Sequence, residues 1–237
     1  MEEVRLALYA IGDLHLSLGS NKPMDVFGGG WINHPVKIAA GFEALGPEDI
    51  CVICGDISWG MSLRESLEDF RFIECLPGKK IILKGNHDYW WTTTSKMKAF
   101  FKENDINSIE ILHNNCYIVD GTAICGTRGW LSDEQFSTEQ NEKILTRETS
   151  RLRASLQAAS DTAVKLCFFH YPPRLKNSVC TGIIEAMNEF GVKYCRYGHL
   201  HGEGQRLAVR GVVEGIDYDI VSADFTGFMP QKVEHGQ

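Results

Sequence analysis

The chain has 237 residues, 43% of them apolar, enough for a substantial core and too many for a globally disordered chain. Its formal charge is −7, from 31 acidic and 24 basic residues, which argues against a generic binder of the nucleic-acid backbone. No apolar run approaches the length of a bilayer span, and Met1 is followed by two acids rather than a basic leader, so the expectation is a cytoplasmic protein with no membrane partner.

Val4 to Ile11 is a continuous β-rich run closing on Gly12-Asp13-Leu14-His15, as a buried strand feeding a functional turn would be. Residues 16–34 form a long loop with Phe27, Trp31 and three successive glycines, and Pro35 suits the first turn of a helix over Val36 to Leu45. Ile50 to Cys54 is a second strand ending in Gly55-Asp56. Ser62, with Glu65 three residues on, predicts a capped helix running to about Cys75. Lys80 to Leu83 is a third strand. It ends in Gly85-Asn86-His87-Asp88, where the glycine is expected to supply a sharp bend. A short helix from Ser95 to Glu103 precedes two strands, Ile109 to Val119 and Thr122 to Gly126, joined by the hairpin signal Asp120-Gly121. Thr138 to Ala159 reads as a long amphipathic helix with a solvated charged face. A strand from Val164 to Phe169 ends at His170, and a helix from Thr181 to Phe190 leads to a strand ending in Gly198-His199-Leu200-His201. Alternation from Leu207 to Val221 suggests closing strands. No repeat or linker interrupts the chain, so residues 1–237 are expected to form a single α/β (α+β) domain.

The eight cysteines fall mostly inside apolar runs and read as small, reduced core residues. Cys51 and Cys54 have C-x-x-C spacing, but no second pair completes a zinc knuckle.

Five strand-to-loop junctions end in residues suited to holding a cation: Asp13 with His15, Asp56, Asn86 with His87, His170, and His199 with His201. They hold five of the eight histidines. Asp-x-His and His-x-His place two side chains on one side of an extended segment. Mixed imidazole and carboxylate ligation suits Mn, Fe, Zn, Ni or Co rather than Ca or Mg. The junctions offer too many ligands for one ion, but enough for two if one carboxylate bridges, and two ions about 3.5–4 Å apart suit in-line displacement at phosphorus.

These blocks, in this order, resemble the calcineurin-like metallophosphoesterases, which are marked by D-x-H, GD, GNH-[DE], a later H and GH-x-H. The resemblance spans residues 13–201 and implies a β-sandwich of two mixed sheets flanked by helices. It implies two divalent transition-metal ions. Asp13, His15 and His201 would hold one, Asn86, His170 and His199 the other, and Asp56 would bridge them. A metal-bridging hydroxide would attack, and His87, which is not a ligand in this scheme, would give a proton or hydrogen bond to the leaving oxygen. Protein-phosphatase members continue the second block as GDxVDRG, whereas this chain reads Gly55-Asp56-Ile57-Ser58-Trp59-Gly60. That departure argues against a Ser/Thr protein phosphatase and removes the carboxylate that orients the histidine. Asp88 is a candidate replacement.

Arg128, in Gly126-Thr127-Arg128-Gly129-Trp130, and Arg174, just after His170, are candidates for gripping phosphate oxygens. Trp31, Trp59, Trp90, Trp91 and Trp130 follow strands and are candidates for stacking or for covering a pocket; Lys22 and His34 are weaker candidates. The sequence therefore predicts a metal-dependent phosphomonoesterase or phosphodiesterase acting on a small molecule or nucleotide. A nuclease using the same site and a non-catalytic protein-binding module are the rivals. The acidic balance opposes the first, and an intact set of site residues opposes the second.

Overall fold

Runs of Ile, Val, Leu and Cys that carry no alternation become parallel strands buried on both faces. The protein is described here by a computed structural model that covers residues 6–132, 135–159, 162 and 164–234. The strand expected from Val4 thus begins outside the described residues. In chain order the elements are β1 (Leu8–Ile11), α1 (His34–Phe42), β2 (Ile50–Ile53), α2 (Leu67–Cys75), β3 (Lys79–Ile82), α3 (Thr94–Glu103), β4 (Ile109–Ile111), β5 (Tyr117–Val119), β6 (Thr122–Thr127), α4 (Thr138–Gln157), β7 (Val164–Phe169), β8 (Arg174–Leu175), β9 (Ser178–Val179), α5 (Thr181–Glu189), β10 (Tyr194–Tyr197), β11 (Gly211–Val213), β12 (Ile216–Ile220) and β13 (Gln231–Lys232).

They build two mixed sheets flanked by helices. One sheet has the order β13-β1-β2-β3-β4 and the other β11-β12-β10-β7-β6-β5. Ala10, Val52 and Ile81 of the first pack against Ile124, Leu166 and Phe168 of the second to fill the space between them. The outer face of the first sheet packs with Ile38, Phe42, Phe70, Ile73, Met97 and Phe101 from α1 to α3. The outer face of the second packs with Leu152, Leu156, Ile183 and Met187 from α4 and α5. All eight cysteines are free. Among the described residues no helix is long and apolar enough to cross a membrane.

Two expectations need correction. The single strand expected from Ile109 to Val119 is two strands in different sheets, with β4 pairing β3 and β5 pairing β6. Between them Asn115 breaks the run: its Oδ1 accepts from His113 N at 2.6 Å and its Nδ2 donates to Ile111 O at 3.2 Å, so the turn is satisfied by side chain rather than ladder. The helix expected from Ser62 begins at Leu67. The Ser62–Glu65 capping contacts do form, with Glu65 N donating to Ser62 Oγ at 3.3 Å and Met61 N to Glu65 Oε2 at 2.9 Å, but they close an isolated turn ahead of the helix.

Register brings the strand ends level. Ile11, Ile53 and Ile82 stand side by side in the first sheet, and Thr127, Phe169, Tyr197 and Ile220 in the second. At this edge the sheets are stitched together, since Gly12 N donates to Val221 O at 2.7 Å and Ala223 N to Gly12 O at 2.9 Å. Loops leaving the carboxyl ends of both sheets therefore enter one crevice, the usual ligand position in open α/β sheets.

Candidate metal centre

Asp13 and His15 enter that crevice after β1, Asp56 after β2, Asn86 and His87 after β3, His170 after β7, and His199 and His201 after β10. Four of these residues hold left-handed backbone, with φ of 60° at Asp13, 45° at His15, 50° at Asp56 and 73° at His199. That conformation is costly for non-glycine residues, and it persists where the surroundings over-determine it. The motif glycines allow close approach. A Cβ on Gly198 would stand 2.5 Å from Asp13 Oδ2, and one on Gly85 would stand 2.8 Å from Asp56 Cγ. Gly85 is outside the positive-φ region, so the bend expected of it is replaced by a need for space.

Two groups of ligand atoms result. In one, His15 Nε2 lies 3.4 Å from His201 Nε2, which lies 3.5 Å from Asp13 Oδ1. In the other, Asn86 Oδ1 lies 2.6 Å from His170 Nε2 and 3.1 Å from His199 Nδ1, and the two ring nitrogens are 3.2 Å apart. Asp56 Oδ2 sits between the groups, 3.7 Å from His15 Nε2 and 3.5 Å from His170 Nε2. Its Oδ1 is occupied by His87 N at 2.8 Å. Asp13, His15 and His201 can each offer an atom to one ion, as can Asp13, Asp56 and His170.

The donor set fits cations. His170 Nδ1–H donates to Cys54 O at 3.1 Å, which leaves Nε2 as a lone pair directed at the amide oxygen of Asn86. Two acceptors at that separation share no hydrogen, and a positive ion removes the conflict. Burial holds His15 at about 3, His199 at about 4 and His170 well below its ordinary value, so all three are neutral imidazoles, the ligating form. Burial, then the charges of Asp88 and Asp13, push the Asp56 carboxyl well above the usual range. His201 behaves oppositely. Burial disfavours its charge, but Asp13 and Asp224 raise it to about 10, so a proton there supplies the positive charge the carboxylates demand. Asp224, after β12, accepts from His201 Nδ1 at 2.9 Å and so aims Nε2 at Asp13. The sequence reading overlooked it. Its one signal was a carboxylate after a buried run, without a neighbouring glycine or histidine.

His87 is half-buried. Its ring packs on Trp59 at 4.4 Å and stands 5.8 Å from the His15 ring. Burial, followed by the Lys22 charge, lowers its pKa, and Lys22 Nζ lies 3.5 Å from the Trp59 ring centre. Asp88 is not its partner. The Asp88 carboxylate is buried and accepts from Gly85 N at 2.7 Å, Asp56 N at 2.9 Å, Ile57 N at 2.8 Å and Trp90 Nε1 at 3.0 Å. The chain bends at Asn86 and His87, and there Asp88 turns into the core while His87 stays half-exposed. Tyr89 Oη lies 3.5 Å from His87 Nδ1, long for a hydrogen bond.

Beside His87 opens a cavity of about 420 Å³, walled by Met24, Phe27, Trp31 and Trp59 and floored by His15 and His201. Trp31 and Trp59 thus line a pocket, while Trp90 belongs to the core and Trp91 stacks near His113. His34 lies beneath, its ring nitrogens 3.2 Å from Trp31 O and 3.3 Å from His15 O, one of which accepts its N–H. Arg174 is committed elsewhere, as an ion pair with Glu214. Arg128 lies against the buried carboxylate of Glu148, at 3.7 Å.

Residues 6–203 match the family description "Calcineurin-like phosphoesterase". The chain belongs to that family. Its members are metal-dependent phosphoester hydrolases, and the two sheets and flanking helices are the family's architecture. Among solved structures, phosphopantetheinyl hydrolase from Mycobacterium tuberculosis is similar over 98% of this chain and 97% of its own, with 14% identity and a TM-score of 0.59. A protein of unknown function from Aquifex aeolicus is similar over 96% of each chain, with 17% identity and a TM-score of 0.50. A Thermus thermophilus protein is similar over 84% of this chain and 83% of its own, with 14% identity and a TM-score of 0.53. At these identities the likeness is one of fold. No curated protein sequence matches the chain.

Proposed function

We propose that this calcineurin-like phosphoesterase uses two divalent transition-metal ions to hydrolyse a small-molecule or nucleotide phosphoester. Asp13, His15 and His201 would hold one ion and Asn86, His170 and His199 the other, with Asp56 within reach of both. The position of Asp56 Oδ2, within 3.7 Å of a ring nitrogen from each group, carries the reading. When bound, such a pair supplies Lewis acidity towards phosphoryl oxygens and a water of lowered pKa. The chain's own residues do the rest. Cys54 O and Asp224 orient the rings of His170 and His201. His87, in the cavity wall and apart from the ligand groups, would give a hydrogen bond, or in its protonated form a proton, to the leaving oxygen. The aromatic walls shed water from the leaving group and suit an apolar or flat one, which favours a small soluble ester over nucleic acid.

The test is a panel of phosphomonoesters, phosphodiesters, nucleotides and a phosphopantetheinyl ester, the last prompted by the name of the mycobacterial structure, assayed with Mn²⁺, Fe²⁺, Zn²⁺, Ni²⁺ and Co²⁺. Turnover that needs metal and disappears in Asp56→Asn is expected. Metal-loaded protein that turns over nothing in the panel argues for a binding module instead.

A further inference from the structure

A second concentration of charge lies beside the centre, on the side of Asn86, His170 and His199. Glu148 of α4 is fully buried and accepts from Thr127 Oγ1 and from Arg151 Nη1, both at 2.6 Å. Arg128 meets the same carboxylate only loosely, at 3.7 Å, and its buried Nε–H has no acceptor. Lys84 completes the group. After burial, the charge acting most on its ammonium is Arg128, followed by Asp88, Arg151 and Glu148. Among the described residues nothing forms a hydrogen bond or ion pair with its Nζ. His113 faces the same charges: burial, then Arg151, lowers its pKa, which keeps it neutral.

The backbone ties this cluster to the centre. Lys84 stands two residues before Asn86. Arg128 O accepts from Tyr171 N at 2.8 Å, immediately after His170. A chain of rings continues the link: Arg128 to Trp130 at 5.2 Å, Trp130 to Tyr171 at 5.4 Å, and Tyr171 to His199 at 4.3 Å. Arg128 and Arg151 thus flank Glu148, with Lys84 as a third cation acting on them from the strand end, in a chain of charge −7, and Asp88, the other carboxylate acting on Lys84, is already filled by amides and an indole. A purely structural network would balance its charges, because a half-buried cation without a counter-charge is unfavourable.

We propose that Lys84, Arg128 and Arg151 form an anion subsite next to the metal centre, which takes a second anionic group of the substrate. The substrate class is then a phosphoester carrying a further phosphate or carboxylate, such as a bisphosphate. This use in catalysis rests on the phosphoesterase reading; the binding itself does not. Calorimetry on the full-length protein, loaded with Mn²⁺ and again after EDTA, would measure its affinity for inorganic pyrophosphate. With the metal ions removed, no Lewis acid is left to hold pyrophosphate, and the Lys84 and Arg151 variants separate the subsite from the protonated His201. Wild type is expected to bind in both states, and Lys84→Met and Arg151→Gln each to bind roughly tenfold more weakly, with far-UV spectra like wild type. Absence of binding to EDTA-treated wild type, or equal affinity in both variants, overturns the subsite. Kinetics supply the second arm. The ratio of KM for adenosine 5′-monophosphate to KM for adenosine 3′,5′-bisphosphate should exceed one in wild type and fall towards one in both variants. Failure of wild type to hydrolyse either nucleotide counts against these substrates, and the pyrophosphate affinities then decide the subsite alone.

Discussion

Gly85→Ala is the most demanding check on how the centre is built. The new Cβ would stand 2.8 Å from Asp56 Cγ and nearer still to Asp56 N and Oδ1. Ordinary contact begins at 3.4 Å, so Cγ must move by at least about 0.6 Å, the difference of the two distances. Because Asp56 N is among the atoms met, the backbone must shift as well as the side chain, against Asp88, which holds Gly85 N at 2.7 Å and Asp56 N at 2.9 Å through one carboxylate oxygen. The Asp56 carboxylate is displaced with its backbone, and metal–ligand distances tolerate only about 0.2 Å. Because Asp56 Oδ2 faces both groups, both ions are affected. Metal analysis should show fewer than two ions per chain, and metal-dependent turnover should fall by roughly 10²-fold, as for a displacement on the order of 1 Å. A Gly85→Ala protein that keeps two ions and near-normal turnover would refute the packing argument and, with it, the place of Asp56 between the groups.

Other substitutions separate the roles. His87→Ala should lower kcat by roughly 10²–10⁴-fold with metal content intact, and loss of metal in step would make His87 a ligand. Asp56→Asn should reduce occupancy at both positions by metal analysis; loss of one ion alone contradicts a shared carboxylate. Asp224→Ala removes the acceptor that orients His201 and should weaken metal affinity by about 10–100-fold in a chelator titration, where an unchanged affinity would make Asp224 incidental. The His201 pKa is raised from 6.5 to about 10 in the metal-free protein, so this proton's stabilisation is fully present below 6.5 and is lost as pH rises through 10. At pH 8 metal binding must expel it, and calorimetry in buffers of different ionisation enthalpy should register at least one proton released, whereas none released would place the proton elsewhere.

The five blocks that meet in the crevice are legible in the sequence because each sits where a non-alternating apolar run stops at polar residues that no core would accept. Local composition carries that signal. Which sheet a strand joins is not a local property. Ile109 to Val119 kept its apolar character across a change of sheet, and only the Asn115 side-chain bonds mark the break. Asp88 was mistaken for the partner of His87 because adjacency in sequence was taken for adjacency in space. Asp224 went unseen because its importance lies in a contact made 23 residues away in sequence, with His201. The basic cluster around Glu148 escaped for the same reason, as Lys84, Arg128 and Arg151 share no motif. The departure at Ile57-Ser58-Trp59 was read correctly as a missing carboxylate. In its place the structure puts the Trp59 ring under His87.

The stitch between Gly12 and the Val221–Ala223 segment has a consequence for how the protein matures. The first ligand loop is held in place by residues that leave the ribosome more than two hundred positions later. Until that late segment arrives, Asp13 and His15 are held on one side only, where their N–H groups donate to Gly55 O and Asp56 O, both at 2.9 Å. A nascent chain halted before residue 221 should therefore carry nearly the whole family signature yet capture no stable pair of ions.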